Sequence, residues 1–124
     1  MDLLIDTQSL FWTAALSRKL STRARDAIAN PRSRLLVSAV TAFEYVDLNR
    51  RARFGVDAPL DPILHRLGAV VVDYPAAAIR LAEALPEHHF DPVDRMMIAH
   101  AMLLDVPLIS SDRTVREYPV TVIW

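Results

Sequence analysis

Short apolar runs alternate along this chain with longer segments whose apolar residues recur at helical spacing. Five runs have strand character: LLID (3–6), LLVS (35–38), AVVVD (69–73), PLIS (107–110) and VTVIW (120–124). They mix Leu, Ile and Val with little polar alternation, the pattern of strands covered on both faces. Between them, LSTRARDAIAN (20–30) offers Ser21 or Thr22 as an N-cap, sets Ala24 and Ile28 on one face and stops at Asn30-Pro31. TAFEYVDLNRRA (41–52) is predicted helical, and its apolar positions 42, 43, 45, 46 and 48 leave little room for a purely solvated face. DPILHRLG (61–68) runs from an Asp-Pro start to Gly68, and the Ala-rich YPAAAIRLAEAL (74–85) is closed by Pro86. PVDRMMIAHAMLLD (92–105) is apolar nearly all round and is expected to be a buried helix. RFGVDAP (53–59) is the most loop-like stretch. Strands and helices alternating in this way predict an α/β fold around a mostly parallel sheet.

Composition narrows the picture. A chain of 124 residues that is 52% hydrophobic fits a single compact domain over 1–124. A net charge of −1 argues against holding a polyanion by bulk electrostatics, which takes many Lys and Arg contacts. The basic residues are almost all Arg, with Lys19 the only Lys, and Arg suits bidentate phosphate contacts. Arg50, Arg51 and Arg53 are candidate phosphate contacts, although a solvated rim explains them about as well. The absence of Cys excludes disulfides, thiolate nucleophiles and Cys-ligated zinc. MDLLIDTQ carries Asp2 and Asp6 without a basic stretch and long apolar run, and no window reaches the roughly 18 apolar residues of a membrane span. A cytoplasmic protein is the expectation.

Four acidic residues stand where an α/β fold gathers functional groups, beyond the carboxyl ends of its strands. Asp6 ends the first strand, Asp112 follows the fourth, Asp94 lies in the first turn of the buried helix, and Glu44 lies in the apolar helix after the second strand. Packed carboxylates repel one another and are costly to bury, so a cluster calls for compensating cations or protons. Hard divalent cations meet that need and can activate water beside a scissile phosphate. The ordinary alternative is capping: Asp6 before Thr7, Asp112 before RTVREY, and Asp91 with Pro92 at the first helical position. Glu44 resists such an account, because Val40, Thr41, Asp47 and Leu48 give it no basic partner along the helix. Ser110 and Ser111 can hydrogen-bond a carboxylate or serve the turn. His88 and His89 match no zinc spacing. His100 is expected to be packed or partly exposed, and Phe11, Trp12, Phe43, Tyr45 and Trp124 are expected in the core.

Taken together, LLIDTQSLFW (3–12), VSAVTAFEYV (37–46), LPEHHFDPVDRMMIAHA (85–101) and PLISSDRTVREYPV (107–120) resemble the PIN-domain ribonucleases, specifically VapC-type toxins of bacterial toxin–antitoxin pairs. The third stretch is the most specific, since these toxins commonly show a His-x-Asp-Pro-Phe-Asp-Arg run. The resemblance implies a three-layer α/β/α domain with strand order 3-2-1-4-5, which would bring Asp6 close to Asp112. It further implies that Asp6, Glu44, Asp94 and Asp112 are catalytic and bind Mg²⁺ or Mn²⁺, with Asp91 and Ser110 as second-tier ligands. An RNA substrate, a VapB-type antitoxin and a homodimer are the implied partners. Gln8, Phe43, Val93 and His100 depart from common family residues without removing a carboxylate. The competing readings are a noncatalytic partner-binding α/β protein and a receiver-like phosphoacceptor built on Asp6 and Asp73. The latter lacks the Lys that it needs after the fifth strand.

Overall fold

Successive side chains of a strand point to opposite faces of a sheet, and this alternation organises the computed structural model, which describes residues 1–88 and 91–124. The strands are β1 (Asp2–Ile5), β2 (Arg34–Ser38), β3 (Val70–Val72), β4 (Leu108–Ile109) and β5 (Val122–Ile123). They form one five-stranded sheet in the order β3-β2-β1-β4-β5, with every pairing parallel. A phosphoacceptor receiver has the order 2-1-3-4-5 instead, so the receiver alternative fails on topology.

Among the described residues the α-helices are α1 (Thr7–Ala14), α2 (Thr22–Ala29), α3 (Ala39–Arg50), α4 (Leu60–Leu67), α5 (Ala76–Ala84) and α6 (Pro92–Leu104), and a 3-10 helix covers Arg113–Glu117. Leu3, Ile5, Leu35, Val37, Ile109 and Ile123 enter one core with Leu10 of α1, Ala24 of α2, Tyr45 of α3 and Ile63 of α4. Leu4, Leu36 and Leu108 enter the other with Ala78 of α5 and Met97, Ile98 and Ala101 of α6. The sheet is thus sandwiched between two helical layers. α3 reaches toward both, since Tyr45 packs in the first core while the Thr41 hydroxyl lies 2.6 Å from Met97 Sδ of α6.

Several expectations change. α1 is a full helix where the sequence suggested only a turn after Asp6. Its segment TQSLFWTA carries no charge and buries the polar Thr7, Ser9 and Thr13, so the spacing of polar and apolar residues does not announce the helix. β3 is an edge strand, with Val70 46% and Val71 41% exposed, so it is not covered on both faces. Phe43 is 75% exposed and lies outside the core, because the neighbouring Tyr45 and Thr41 take the inward positions of α3. α6 is buried from Met97 to Ala101, but Leu103 and Leu104 emerge toward solvent. Among the described residues no helix is long and apolar enough to cross a membrane.

Candidate active site

The parallel order places the ends of β1 and β4 side by side, and the chain leaves both strands through an aspartate cap. Asp6 is extended (φ −79°, ψ 168°) and caps α1 by accepting the Ser9 N–H at 2.8 Å through Oδ1. Its own N–H donates to the Ile109 carbonyl at 3.1 Å, fixing it to the neighbouring strand end. Asp112 caps the 3-10 helix, accepting the Thr114 N–H at 2.9 Å. Ser110 joins the two: buried at the end of β4, it lies near enough to the Asp6 carboxylate to favour its charged form, and its Oγ accepts the Asp112 N–H at 3.2 Å.

α6 brings the third group. Asp91 caps it by accepting the N–H groups of Val93 at 2.9 Å and Asp94 at 3.1 Å, with Pro92 at a position that has no N–H to satisfy. Asp94 follows in the first turn, where the helix dipole favours a carboxylate. Glu44 comes from the middle of α3.

These five carboxylates line one pocket of about 260 Å³ with Thr7, Gln8, Leu48, Phe54 and Ser111. No basic side chain is among the described residues that line it. The electrostatic consequence is visible at two of them. Burial pushes the Asp6 carboxyl above the usual carboxylate range, and the Asp112 charge adds to it; the nearby Ser110 hydroxyl and the Ser9 N–H bond act the other way. Burial likewise raises Glu44, with the charges of Asp91 and Asp6 in the same direction and Thr7 opposing. Thr7 itself is buried, and its hydroxyl has no hydrogen bond of ordinary length among the described residues, although it lies near enough to favour the charged form of Glu44.

A hard divalent cation fits this donor set: all oxygen, strongly acidic, with a buried hydroxyl available to a coordinated water. No three His, Asp or Glu side chains among the described residues form a ready-made cage. An ion that keeps several waters and uses one or two carboxylates requires no such cage.

Asp6, Glu44, Asp94 and Asp112 therefore share one pocket, and Asp91 joins them while also capping α6. Capping and site-lining are compatible, because both cap bonds go to Oδ1 of Asp91. Ser110 reaches the site through Asp6, and its neighbour Ser111 lines the wall. Asp73 is exposed and outside the pocket. His88 lies 3.6 Å from Glu117 and meets Tyr118 edge-on, and His89 lies outside the described residues. His100 is fully buried and hydrogen-bonds Ser38 Oγ at 3.0 Å. Arg50, Arg51 and Arg53 are exposed, and Arg51 pairs with Asp47 at 3.4 Å. Sequence reasoning missed Phe54 as a pocket residue; its only signal was an aromatic side chain inside a loop-like stretch.

Comparison with known proteins places the geometry in context. The family model of the PIN domain matches residues 3–120. VapBC2 from Rickettsia felis, solved bound to a promoter DNA fragment, aligns with a TM-score of 0.74 at 12% identity, covering 98% of this chain and 97% of that one. Mycobacterium tuberculosis VapC20, described as a sarcin-ricin loop cleaving toxin, aligns at 0.61 and 21% identity over 96% of each chain. PAE2754 from Pyrobaculum aerophilum aligns at 0.63 and 18% identity, covering 98% of this chain and 83% of that one. No curated protein matches the sequence.

Proposed function

The chain belongs to the PIN domain family, and from that premise we propose that it is a metal-dependent endoribonuclease of the VapC toxin type. One observation carries the reading: five carboxylates from four segments of the chain meet in one pocket. Asp6, Glu44, Asp94 and Asp112 would hold Mg²⁺ or Mn²⁺, with Asp91 and Ser110 supporting them. When bound, such an ion supplies a more acidic water and neutralises charge on the scissile phosphate.

The chain's own residues do the rest. The Ser9 N–H fixes the rotamer of Asp6, so the carboxylate is aimed before any ligand arrives. Glu44 is less buried than Asp6, and its raised affinity for a proton suits an Oε atom to accept one from the attacking water. Attack at phosphorus with departure of O3′ leaves a 5′-phosphate. The similar solved structures include VapBC2, VapBC-1 and FitAB, and an antitoxin of the VapB kind is the proposed regulator.

Partner-free protein incubated with total RNA in Mg²⁺, Mn²⁺ or chelator, beside Asp94→Asn, tests the reading. Discrete fragments that require metal and disappear in the variant are expected. The loss should exceed the roughly 10–100-fold typical of groups that only support a metal ligand. Equal cleavage by wild type and a folded variant would remove Asp94 from the catalytic set.

A further inference from the structure

The pocket is not acidic all round. Opposite chemistry lines one part of it: Leu48 from α3 and Phe54 from the segment that follows. The Phe54 ring lies parallel to Phe11, with centroids 4.1 Å apart and planes 5° from coincidence. It also tilts at 48° against Tyr45 at 4.9 Å. These contacts hold the ring in one orientation, and of the three aromatics only Phe54 reaches the pocket. Neither metal binding nor phosphate hydrolysis calls for an aromatic wall, and apolar surface beside carboxylates raises the cost of keeping them charged.

A nucleotide carries the same two halves that the pocket offers. Its phosphate needs the carboxylate-bound cation, and its base has apolar faces that stack on aromatic rings. Gln8 is exposed at the pocket, and its amide offers both donors and an acceptor to a base edge. The exposed Arg53 adjoins Phe54 in sequence and suits the next phosphate. In a duplex both base faces are already stacked, so only an unpaired nucleotide can present one to Phe54.

We propose that Phe54 and Leu48 form a subsite for the unpaired nucleobase flanking the scissile phosphate, making Phe54 a residue that selects single-stranded substrate. The proposal rests on the nuclease reading, but its test separates the two. Binding of a fluorescent oligouridylate in Ca²⁺ is measured by anisotropy beside an oligomer of equal length lacking every base. Wild type should prefer the base-bearing strand by about tenfold, within the range of one stacked base. Phe54→Leu should lose most of that preference while binding the abasic strand as wild type does, and Phe54→Trp should restore it. Leu48→Ala should weaken it too, which provides a second route if Phe54→Leu does not fold.

Retention of the full preference by a folded Phe54→Leu, no preference in wild type, or no binding of either strand overturns the subsite. Cleavage of the oligouridylate is followed separately in Mg²⁺. Cleavage without base preference discards only the subsite. Base preference in a protein that cleaves neither this strand nor total RNA discards the nuclease reading and keeps Phe54 and Leu48 as a base-binding site only, with no scissile phosphate beside it.

Discussion

Asp6 combines two demands in one side chain. Its Oδ1 caps α1, and its burial beside Asp112 raises its proton affinity. Asn can also cap a helix, so Asp6→Asn keeps the local structure while removing the charge. The sign of its effect on stability follows from linkage. A carboxyl raised in the folded state gives stability that is fully present below its unfolded value and is lost as pH rises through the folded value. Without metal, Asp6→Asn should therefore melt higher than wild type at neutral pH, and the gap should narrow as pH falls into the carboxylate range. Thermal melts in chelator across that range check this; a gap that ignores pH would contradict the burial argument. With Mg²⁺ or Mn²⁺ the order should change, because an ion bound only by the folded wild type stabilises it by about 2.7 kcal/mol at a hundredfold excess over Kd. Ser110→Ala should act more mildly, weakening metal affinity or cleavage by roughly 10–100-fold.

At the scale of elements, the start of α6 is held from two sides. Asp91 caps it, while the Arg95 guanidinium donates to the carbonyls of Ala82 at 2.8 Å, Leu85 at 3.0 Å and Pro86 at 2.9 Å. Arg95 thereby satisfies the C-terminal end of α5 and ties it to the turn that carries Asp94. Removing a charged donor from several carbonyls costs about 2 kcal/mol. Urea denaturation should show that loss for Arg95→Ala, about 1 kcal/mol for Asp91→Ala, and much less for Asp91→Asn, which keeps a capping oxygen. Equal losses for the two Asp91 variants would mean that the charge, not the cap, stabilises the helix start.

For the molecule as a whole, α3 has one face in each environment. Thr41 and Tyr45 are fully buried, whereas Phe43 is 75% and Val46 45% exposed. Phe43 and Val46, three positions apart on α3, are the surface that the homodimer expected from the family resemblance would cover. Sedimentation velocity should find wild type dimeric and Phe43→Glu shifted toward monomer with its melting temperature for the monomeric fold little changed. A wild type that stays monomeric at every concentration would refute the dimer.

Much of this architecture is legible in local pattern. The five apolar runs became the five strands, and five helices fell within two or so residues of their expected positions, because period and capping chemistry act over a single turn or strand. The carboxylates were also recognisable, since Glu44 had no basic neighbour along its helix and three aspartates preceded helix starts. Their meeting was a different matter. Asp6 and Asp112 stand at opposite ends of the chain and become neighbours because β1 pairs with β4. Burial, which sets the proton affinity of Asp6 and Glu44, depends on helices packed from both layers and is not a property of any local window. α1 stayed hidden because it carries no charge and turns three polar side chains inward, and Phe43 and Phe54 were misjudged or missed for one reason. An apolar side chain reads the same in sequence whether it faces a core, a pocket or solvent, and only long-range packing assigns its side.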